Sequence, residues 1–210
     1  MKAALIAAEK GHHVILLEKG NDLGGQLHWA HYDDYKSDLQ SYLQYLQRQV
    51  KKSAIEVRLN CAADAQLVKS LHPDYIILAI VAEFIVPPIE GADTAEQAVQ
   101  LYKEGLDHLD GKTIIIGGGT IGTELALELG ERGKQVAIVE IGEELSAKGN
   151  MLYKIALRQH LNRCKTIEYH LKSKAVHIEK HSVLIEDKDG NKITIAGERV
   201  VLAVGLRPNQ

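Results

Sequence analysis

At 210 residues the chain has room for one large domain or two small ones. Its formal charge of −3 and the lack of a Lys/Arg run exclude nucleic acid and membrane surfaces as expected partners. No apolar run approaches the roughly 20 residues of a membrane span, and the N-terminus lacks the pattern of a signal peptide. Cys61 and Cys164 lie far apart and form no C-x-x-C pair, which is typical of reduced thiols in a cytoplasmic protein.

The first half of the chain predicts alternating helices and strands. Residues 2–10 are strong helix formers followed by Gly11, a common helix end. The apolar spacing and the turn residues predict further helices at 36–52 and 65–71, and strands at 13–17, 55–59 and 75–81. The last strand, YIILAIV, has no polar interruption, so we expect it to be buried on both faces.

The second half continues the alternation. Helices are predicted at 95–106 and 151–161, and strands at 113–116, 135–139, 166–169 and 200–204. Three further strands at 175–179, 183–186 and 192–195 read as a meander, with Asp189-Gly190 as the turn of its second hairpin. Strands and helices in alternation, interrupted by a meander, predict an α/β fold with a parallel sheet.

A glycine motif follows the strand at 113–116. Gly117, Gly119 and Gly122 stand in G-x-G-x-x-G register between this strand and a helix. The first glycine permits a tight turn, the second lets a pyrophosphate approach the backbone, and the third lets the helix pack closely on the strands. Because a helix N-terminus offers free N–H groups to phosphates, we assign Thr120 and Ile121 to the same pyrophosphate site.

An acidic residue completes this motif. Glu140 ends the following strand, about 20 residues past the glycines, where a carboxylate binds the ribose hydroxyls of a dinucleotide. No Arg occurs in residues 141–144, and the carboxylate would repel a 2′-phosphate. The sequence therefore predicts a binding site for NAD(H) rather than NADP(H).

The chain also contains a truncated copy of this unit. With an offset of 122, residues 4–23 align without gaps on residues 126–145. The identical positions in the first copy are Ala4, Leu5, Glu9, Gly11, Val14, Glu18, Gly20 and Leu23. The counterpart of Gly122 would fall one residue before Met1, so we expect the first strand and glycine loop of this copy to lie upstream, in a longer protein from which the chain is excised. A natural remnant is the alternative.

Two dinucleotide units, one nested within the other, resemble the two-dinucleotide-binding-domain flavoprotein reductases. The segments LLEKGNDLGGQL (16–27), GKTIIIGGGTIGTELALEL (111–129) and AVGLRPN (203–209) are most similar to the NADH:flavin oxidoreductases. That group includes 2,4-dienoyl-CoA reductase, trimethylamine dehydrogenase and 2-enoate reductase. The resemblance implies a Rossmann-like, three-layer NAD(P)-binding domain at 91–200, inserted in a truncated FAD-binding-like domain formed by 1–90 and by a return strand at 201–210.

The resemblance also implies cofactors and partners for the intact protein. It assigns FAD contacts to Glu18, Gly24, Gly25, Gln26 and Gly205, although Glu18 can equally be a charged strand end and the glycines an ordinary loop. An FMN-bearing barrel with an iron–sulfur cluster would precede this region, and hydride would pass from NADH to flavin. Cys61 and Cys164 do not have cluster spacing.

The chain departs from the family pattern at the end of one predicted strand, and it differs from another branch of the superfamily just after the GG motif. Members usually end the strand at 75–81 with Ala-Thr-Gly, whereas Ala79-Ile80-Val81 stands here, so we expect this polypeptide alone to hold FAD poorly and to be inactive. The disulfide reductases of the superfamily carry a redox cysteine pair just after the GG motif. Gln26 and Leu27 occupy that place, which argues against that branch.

No catalytic residue or metal site is predicted. His28 and His31 have metal-like spacing, but no Cys, Asp or Glu accompanies them on a helix, which favours loop histidines. The leading hypothesis is the nucleotide-binding region of an NADH-dependent flavin oxidoreductase, and the rival is a non-catalytic ADP- or NAD-binding module. Formation of a homo-oligomer is left open.

Overall fold

The computed structural model describes residues 1–30, 36–80 and 82–208. The chain divides into two compact units, residues 1–81 and residues 82–210. In the described part of the chain, no helix has the length and apolar character that a membrane crossing requires.

Unit 1 (residues 1–81) contains a small parallel sheet and several helices. Its described elements are α1 (Lys2–Glu9), β1 (Ile15–Leu17), α2 (Leu27–Ala30), α3 (Ser37–Lys52), β2 (Glu56–Arg58) and α4 (Ala65–Ser70). β1 pairs in parallel with β2, Leu16 lying opposite Val57. On the apolar side of α3, Leu43, Leu46 and Val50 are buried, and Val50 packs with Ala4 and Ile55 in the core of the unit, while Tyr42 is exposed.

The prediction of a buried strand at 75–81 is wrong for residues 75–80, and Val81 lies outside the described residues. Residues 75–80 have no regular secondary structure, and their side chains are exposed, Tyr75 to 88% and Leu78 to 75%. A strand forms only where its N–H and C=O groups pair with a neighbour. Among the described residues of unit 1 no strand pairs with this run, so apolar composition alone does not bury it.

Unit 2 (residues 82–210) is built around a five-stranded parallel sheet. The strands of this sheet are β4 (Glu96–Gln97), β5 (Thr113–Ile116), β6 (Val136–Val139), β7 (Ile167–His170) and β11 (Arg199–Leu202), in the order β4-β11-β5-β6-β7. β5 and β6 are buried at every position, as a central strand with both faces covered requires. The predicted α/β fold with a parallel sheet is confirmed.

Two layers cover the sheet of unit 2, one on each face, so that the unit has three layers. On one face packs an antiparallel meander of β8 (Lys174–Glu179), β9 (Ser182–Glu186) and β10 (Lys192–Ala196), whose Val183 and Ile185 meet Ile114 of the sheet. Helices cover the other face, where Leu125 and Leu129 meet Ile115. The helices of unit 2 are α5 (Ala98–Glu104), α6 (Thr120–Glu131) and α7 (Met151–Arg163).

Two predicted elements of unit 2 differ in extent. The helix expected at 95–106 begins only at Ala98, because residues 96–97 form the edge strand β4 beside β11. Residues 201–202, expected in a return strand to the first domain, lie in β11 of this sheet. The last strand, β12 (Leu206–Pro208), pairs antiparallel with β3 (Ala82–Phe84). The division at 90 and 200 into FAD-like and NAD(H) domains stays a prediction.

Truncating the α6 core should destabilise unit 2. Leu125 is fully buried between α6 and the sheet, so Leu125→Ala should lower the free energy of unfolding by about 2–5 kcal/mol. The matched control is Leu152→Ala on α7, because Leu152 is 80% exposed and its change should stay within about half a kcal/mol. Hydrogen exchange of the β5 and α6 amides during a urea titration follows the unfolding of unit 2. The fluorescence of the single tryptophan, Trp29, follows the unfolding of unit 1. Equal effects of the two variants would contradict the packing described.

Candidate dinucleotide-binding site

The chain turns sharply at Gly117, where β5 ends. Gly117 has φ +107, a conformation that residues with a Cβ rarely adopt. A Cβ at this position would also lie 2.5 Å from the carbonyl oxygen of Ala203, just beyond β11. Glycine at 117 is therefore required both by the backbone conformation and by the approach of the neighbouring strand.

Gly122 is packed tightly against the glycine turn, whereas Gly119 borders open space. A Cβ at Gly122 would lie 1.9 Å from the carbonyl oxygen of Gly117, so α6 packs on the turn at a distance only glycine allows. A Cβ at Gly119 would meet nothing within 4 Å, and Gly119 is the N-cap of α6 without a side-chain cap. Open space therefore lies before an uncapped helix N-terminus, an arrangement that fits a pyrophosphate.

The middle glycine of the turn is held from both sides. The Gly118 N–H donates to Glu140 Oε2 at 2.6 Å. The Gly118 carbonyl accepts from the Ser146 N–H at 2.7 Å and from Thr123 Oγ1 at 3.1 Å. Because all three partners are bonded to one residue, the glycine turn keeps its shape before any ligand binds.

Glu140 lies directly after β6 and is only partly buried. Its Oε1 accepts from the Gly142 N–H at 2.6 Å while its Oε2 accepts from Gly118. Both bonds fix the carboxylate beside the glycine turn, where a carboxylate can accept hydrogen bonds from ribose hydroxyls. The structure thus brings together the glycines and the acid that the sequence assigned to one site.

The carboxylates of Glu143 and Glu144, in the loop after β6, form ion pairs with cations. The hydrogen bond and the charge of Lys172 lower the pKa of the Glu143 carboxyl, with Nζ and Oε1 at 2.7 Å. Lys154 and Arg158 lower the pKa of Glu144 in the same way, Lys154 having the larger effect. Sequence inspection noted the absence of Arg in 141–144, but it could not show that Lys172 and Arg158 approach this loop from elsewhere in unit 2.

The remaining predicted residues of unit 2 lie at or near the turn. Thr120 is exposed in the first turn of α6 and its Oγ1 is 3.3 Å from Ser146 Oγ. Ile121 follows it and is half-buried. Gly205, with φ +108, lies two residues beyond Ala203, in the bend between β11 and β12.

The residues assigned to FAD in unit 1 form local turns. Glu18 follows β1, and its Oε1 accepts from the Gly20 N–H at 2.8 Å. Gly24 and Gly25 have φ +150 and +53. Gln26 lies directly before α2, and its backbone carbonyl accepts hydrogen bonds from N–H groups of that helix. The φ of Gly24 is one that residues with a Cβ rarely adopt, so this backbone conformation favours glycine irrespective of any flavin.

Of the two histidines with metal-like spacing, His28 forms a contact within its own loop. His28 Nε2 lies 3.1 Å from the Leu23 carbonyl, a bond within its own loop, while His31 lies outside the described residues. Among the residues that the structure describes, no group of three or more His, Cys, Asp or Glu could hold a metal ion. Cys61 and Cys164 are free thiols, and burial followed by the charge of Glu131 raises the pKa of Cys164.

Sequence reasoning missed Gly118, Thr123 and Ser146. Ser146 is only 1% exposed and has φ +52. Its backbone N–H, rather than its side chain, donates the hydrogen bond to Gly118 that holds the turn. No sequence motif signals a backbone donor. The sequence does contain a signal for Gly118, because the run GGG has a third glycine in its middle. In the structure a Cβ at this position would lie 2.4 Å from the side chain of Leu145.

A buried strand, a glycine turn, an uncapped helix and an acid at the end of the next strand together define a Rossmann-type dinucleotide-binding protein. The chain belongs to the pyridine nucleotide-disulphide oxidoreductase family, whose model matches residues 1–210. This family comprises flavoprotein oxidoreductases that bind FAD and NAD(P).

Curated relatives and solved structures agree with the family. The chain is 35% identical to bilirubin reductase of Mediterraneibacter gnavus over 100% of its length, and 32% identical to NADH oxidase of Thermoanaerobacter brockii over 99%. A 2-naphthoyl-CoA reductase structure matches 98% of the chain with a TM-score of 0.87 and 26% identity. The chain spans 32%, 33% and 31% of these three proteins respectively.

Alanine substitutions at Gly122 and Gly119 should have different effects on stability. Gly122→Ala should destabilise unit 2 by about 1–3 kcal/mol or more, because its Cβ would press on the backbone of Gly117. Gly119→Ala should cost less than about 1 kcal/mol, since the space is open, φ is −69°, and only the N-cap is weakened. Urea unfolding followed by hydrogen exchange in α6 measures both variants. A larger loss for Gly119→Ala would contradict the assigned geometry.

Proposed function

We propose that this chain is the nucleotide-binding region of an NADH-dependent flavin oxidoreductase, and that it positions NADH for hydride transfer to flavin. The observation that carries the proposal is the Glu140 carboxylate, hydrogen-bonded to Gly118 beside the open space at Gly119. The names of two relatives, a bilirubin reductase and an NADH oxidase, agree with an oxidoreductase, and the second agrees with NADH as the cofactor.

The backbone of the turn and of the first helical turn would hold the pyrophosphate. The residues concerned are Gly117, Gly119, Thr120, Ile121 and Gly122. Glu140 would accept hydrogen bonds from the adenosine ribose. The hydride chemistry belongs to the bound nicotinamide and flavin, so the role of these residues is binding and orientation.

The subfamily and the partners are part of the proposal. The motifs at 16–27, 111–129 and 203–209 favour the NADH:flavin oxidoreductases, in which an FMN-bearing barrel with an iron–sulfur cluster receives the electrons. The chain covers about a third of its relatives, so such a barrel would belong to the rest of the intact protein. We place the region in the cytoplasm, where its free thiols stay reduced.

Replacing Glu140 should separate the two nicotinamide cofactors. Glu140→Ala should weaken NADH binding about ten- to hundredfold, because hydrogen bonds to a charged carboxylate are lost, while NADPH loses less. Titration calorimetry with both cofactors measures the difference. Glu168→Ala on β7 is the matched control, since Glu168 pairs with Lys112 and should leave both affinities unchanged. Equal losses of affinity for NADH and NADPH in Glu140→Ala would contradict the role of Glu140 in selecting NADH.

Releasing Lys172 should shift the preference toward NADPH. Glu143→Gln removes the partner of Lys172, so its ammonium becomes available to a 2′-phosphate and the NADPH-to-NADH affinity ratio should rise several-fold at low salt. The double variant Glu143→Gln with Lys172→Gln should return the ratio to its original value. A ratio that is unchanged in Glu143→Gln would show that Lys172 does not reach the cofactor.

The second candidate is a non-catalytic ADP- or NAD-binding module. The run at 75–80 favours it for this polypeptide, because in the described part of unit 1 these residues form no strand, although one was expected there. NADH-dependent dye reduction with added FAD distinguishes the two candidates for this chain. Turnover would support the oxidoreductase, whereas NADH binding without turnover, with or without FAD, would support the module.

A further inference from the structure

A pair of hydroxyl groups joins the loop after β6 to the first turn of α6. Ser146 Oγ lies 3.3 Å from Thr120 Oγ1, which is within hydrogen-bond distance. The two residues differ in exposure, because Ser146 is buried whereas Thr120 is exposed. Thr120 is the first residue of the uncapped helix and directly follows Gly119, which borders the open space proposed for the pyrophosphate.

The backbone fixes Ser146 from both directions. Its N–H donates to the Gly118 carbonyl at 2.7 Å, and its own carbonyl accepts from the Gly149 N–H at 2.8 Å. A Cβ at Gly149 would lie 3.1 Å from Ser146 Oγ, so glycine at this position lets the loop close over the hydroxyl. The position of the Ser146 hydroxyl is therefore set by the folded loop and does not depend on a ligand.

The burial of Ser146 decides which of the two hydroxyls donates. Within the described residues, Thr120 is the hydrogen-bond partner of the Ser146 side chain. A hydroxyl carries one donor proton, and a buried donor without an acceptor is costly. If Thr120 donated, the buried proton of Ser146 would have no acceptor. Ser146 therefore donates and Thr120 accepts, which leaves the proton of the exposed Thr120 hydroxyl available to a further acceptor.

The side chains bonded to the glycine turn are anionic or neutral. Among the described residues, those bonded to 117–120 belong to Glu140, Thr123 and Ser146. The Thr123 hydroxyl donates to carbonyls of the turn itself. A pyrophosphate beside this turn would thus depend on backbone N–H groups and on any neutral side-chain donor that reaches it. The Thr120 hydroxyl is such a donor.

We infer that Ser146 is a positioning residue that orients the Thr120 hydroxyl as a hydrogen-bond donor to a phosphate group of the dinucleotide. The inference rests on the proposed function and adds a side-chain contact to the backbone N–H groups of that site. A hydroxyl that already accepts a hydrogen bond is a stronger donor, because hydrogen bonds in a chain polarise one another. A fixed partner also removes part of the rotational freedom that Thr120 would otherwise lose when the ligand binds.

Ser146→Gly removes the hydroxyl and keeps the backbone of the loop. Glycine adopts the φ of +52 more readily than serine, and the N–H that bonds to Gly118 stays. Calorimetry with ADP-ribose and an NMR titration with adenosine separate two parts of the site, because ADP-ribose carries a pyrophosphate and adenosine carries none. The affinity for ADP-ribose should fall about threefold or more, while the affinity for adenosine should be unchanged.

Thr120→Val tests whether Ser146 acts through Thr120. Valine has the shape of threonine without the hydroxyl, so the affinity for ADP-ribose should fall about tenfold, as expected for a lost hydrogen bond to a charged group. Adding Ser146→Gly to Thr120→Val should cause no further loss, whereas two independent contributions would multiply. Thr120→Ser keeps the hydroxyl and should bind ADP-ribose nearly as well as the original chain.

The matched control is Ser182→Gly on β9, which removes a serine hydroxyl that bonds to Glu179 on the meander. This variant should leave both affinities unchanged. An equal loss for adenosine and ADP-ribose in Ser146→Gly would show a merely structural role and overturn the inference. Multiplied losses in the double variant, or an unchanged affinity for ADP-ribose in Ser146→Gly, would overturn it as well.

Failure of the proposed function has a different signature. If the chain were no dinucleotide-binding region, the original chain would not bind ADP-ribose, and that result would overturn both proposals. The outcomes that overturn the positioning role alone require that the original chain binds ADP-ribose.

Discussion

The candidate site depends on the close approach of α6 to the turn that ends β5. At Gly122 the helix comes so near that a single carbon atom would collide with the carbonyl of Gly117. This approach aims the uncapped N-terminus of α6 at the open space beside Gly119. The dipole of the helix and its free N–H groups therefore act at a fixed place, which preorganises the site for an anion.

The carboxylate of Glu140 links this turn to the next strand. Because it accepts one hydrogen bond from Gly118 and one from Gly142, it stabilises two loops while remaining partly exposed. Ser146 adds a third contact from the backbone, in a left-handed conformation that costs free energy for a residue with a Cβ. The loop 140–146 thus shapes the turn before any ligand binds and presents its acid at the same time.

The sequence predicted the strongly local features of this fold well. The glycine turn at 117–122 between a strand and a helix and the hairpin at Asp189-Gly190 depend on short-range steric rules, and both form where they were expected. Features that depend on distant neighbours were not predictable. The approach of Lys172 to Glu143 requires β7 to lie beside β6, and the backbone donor at Ser146 has no signature in side-chain chemistry.

The runs at 75–80 and 199–204 show the same limit most clearly. Both have the composition of a buried strand, but only residues 199–202 form one, because β5 and β4 lie on either side of them. Strand formation is thus a property of the sheet rather than of the segment, since the backbone groups must be paired by a neighbour.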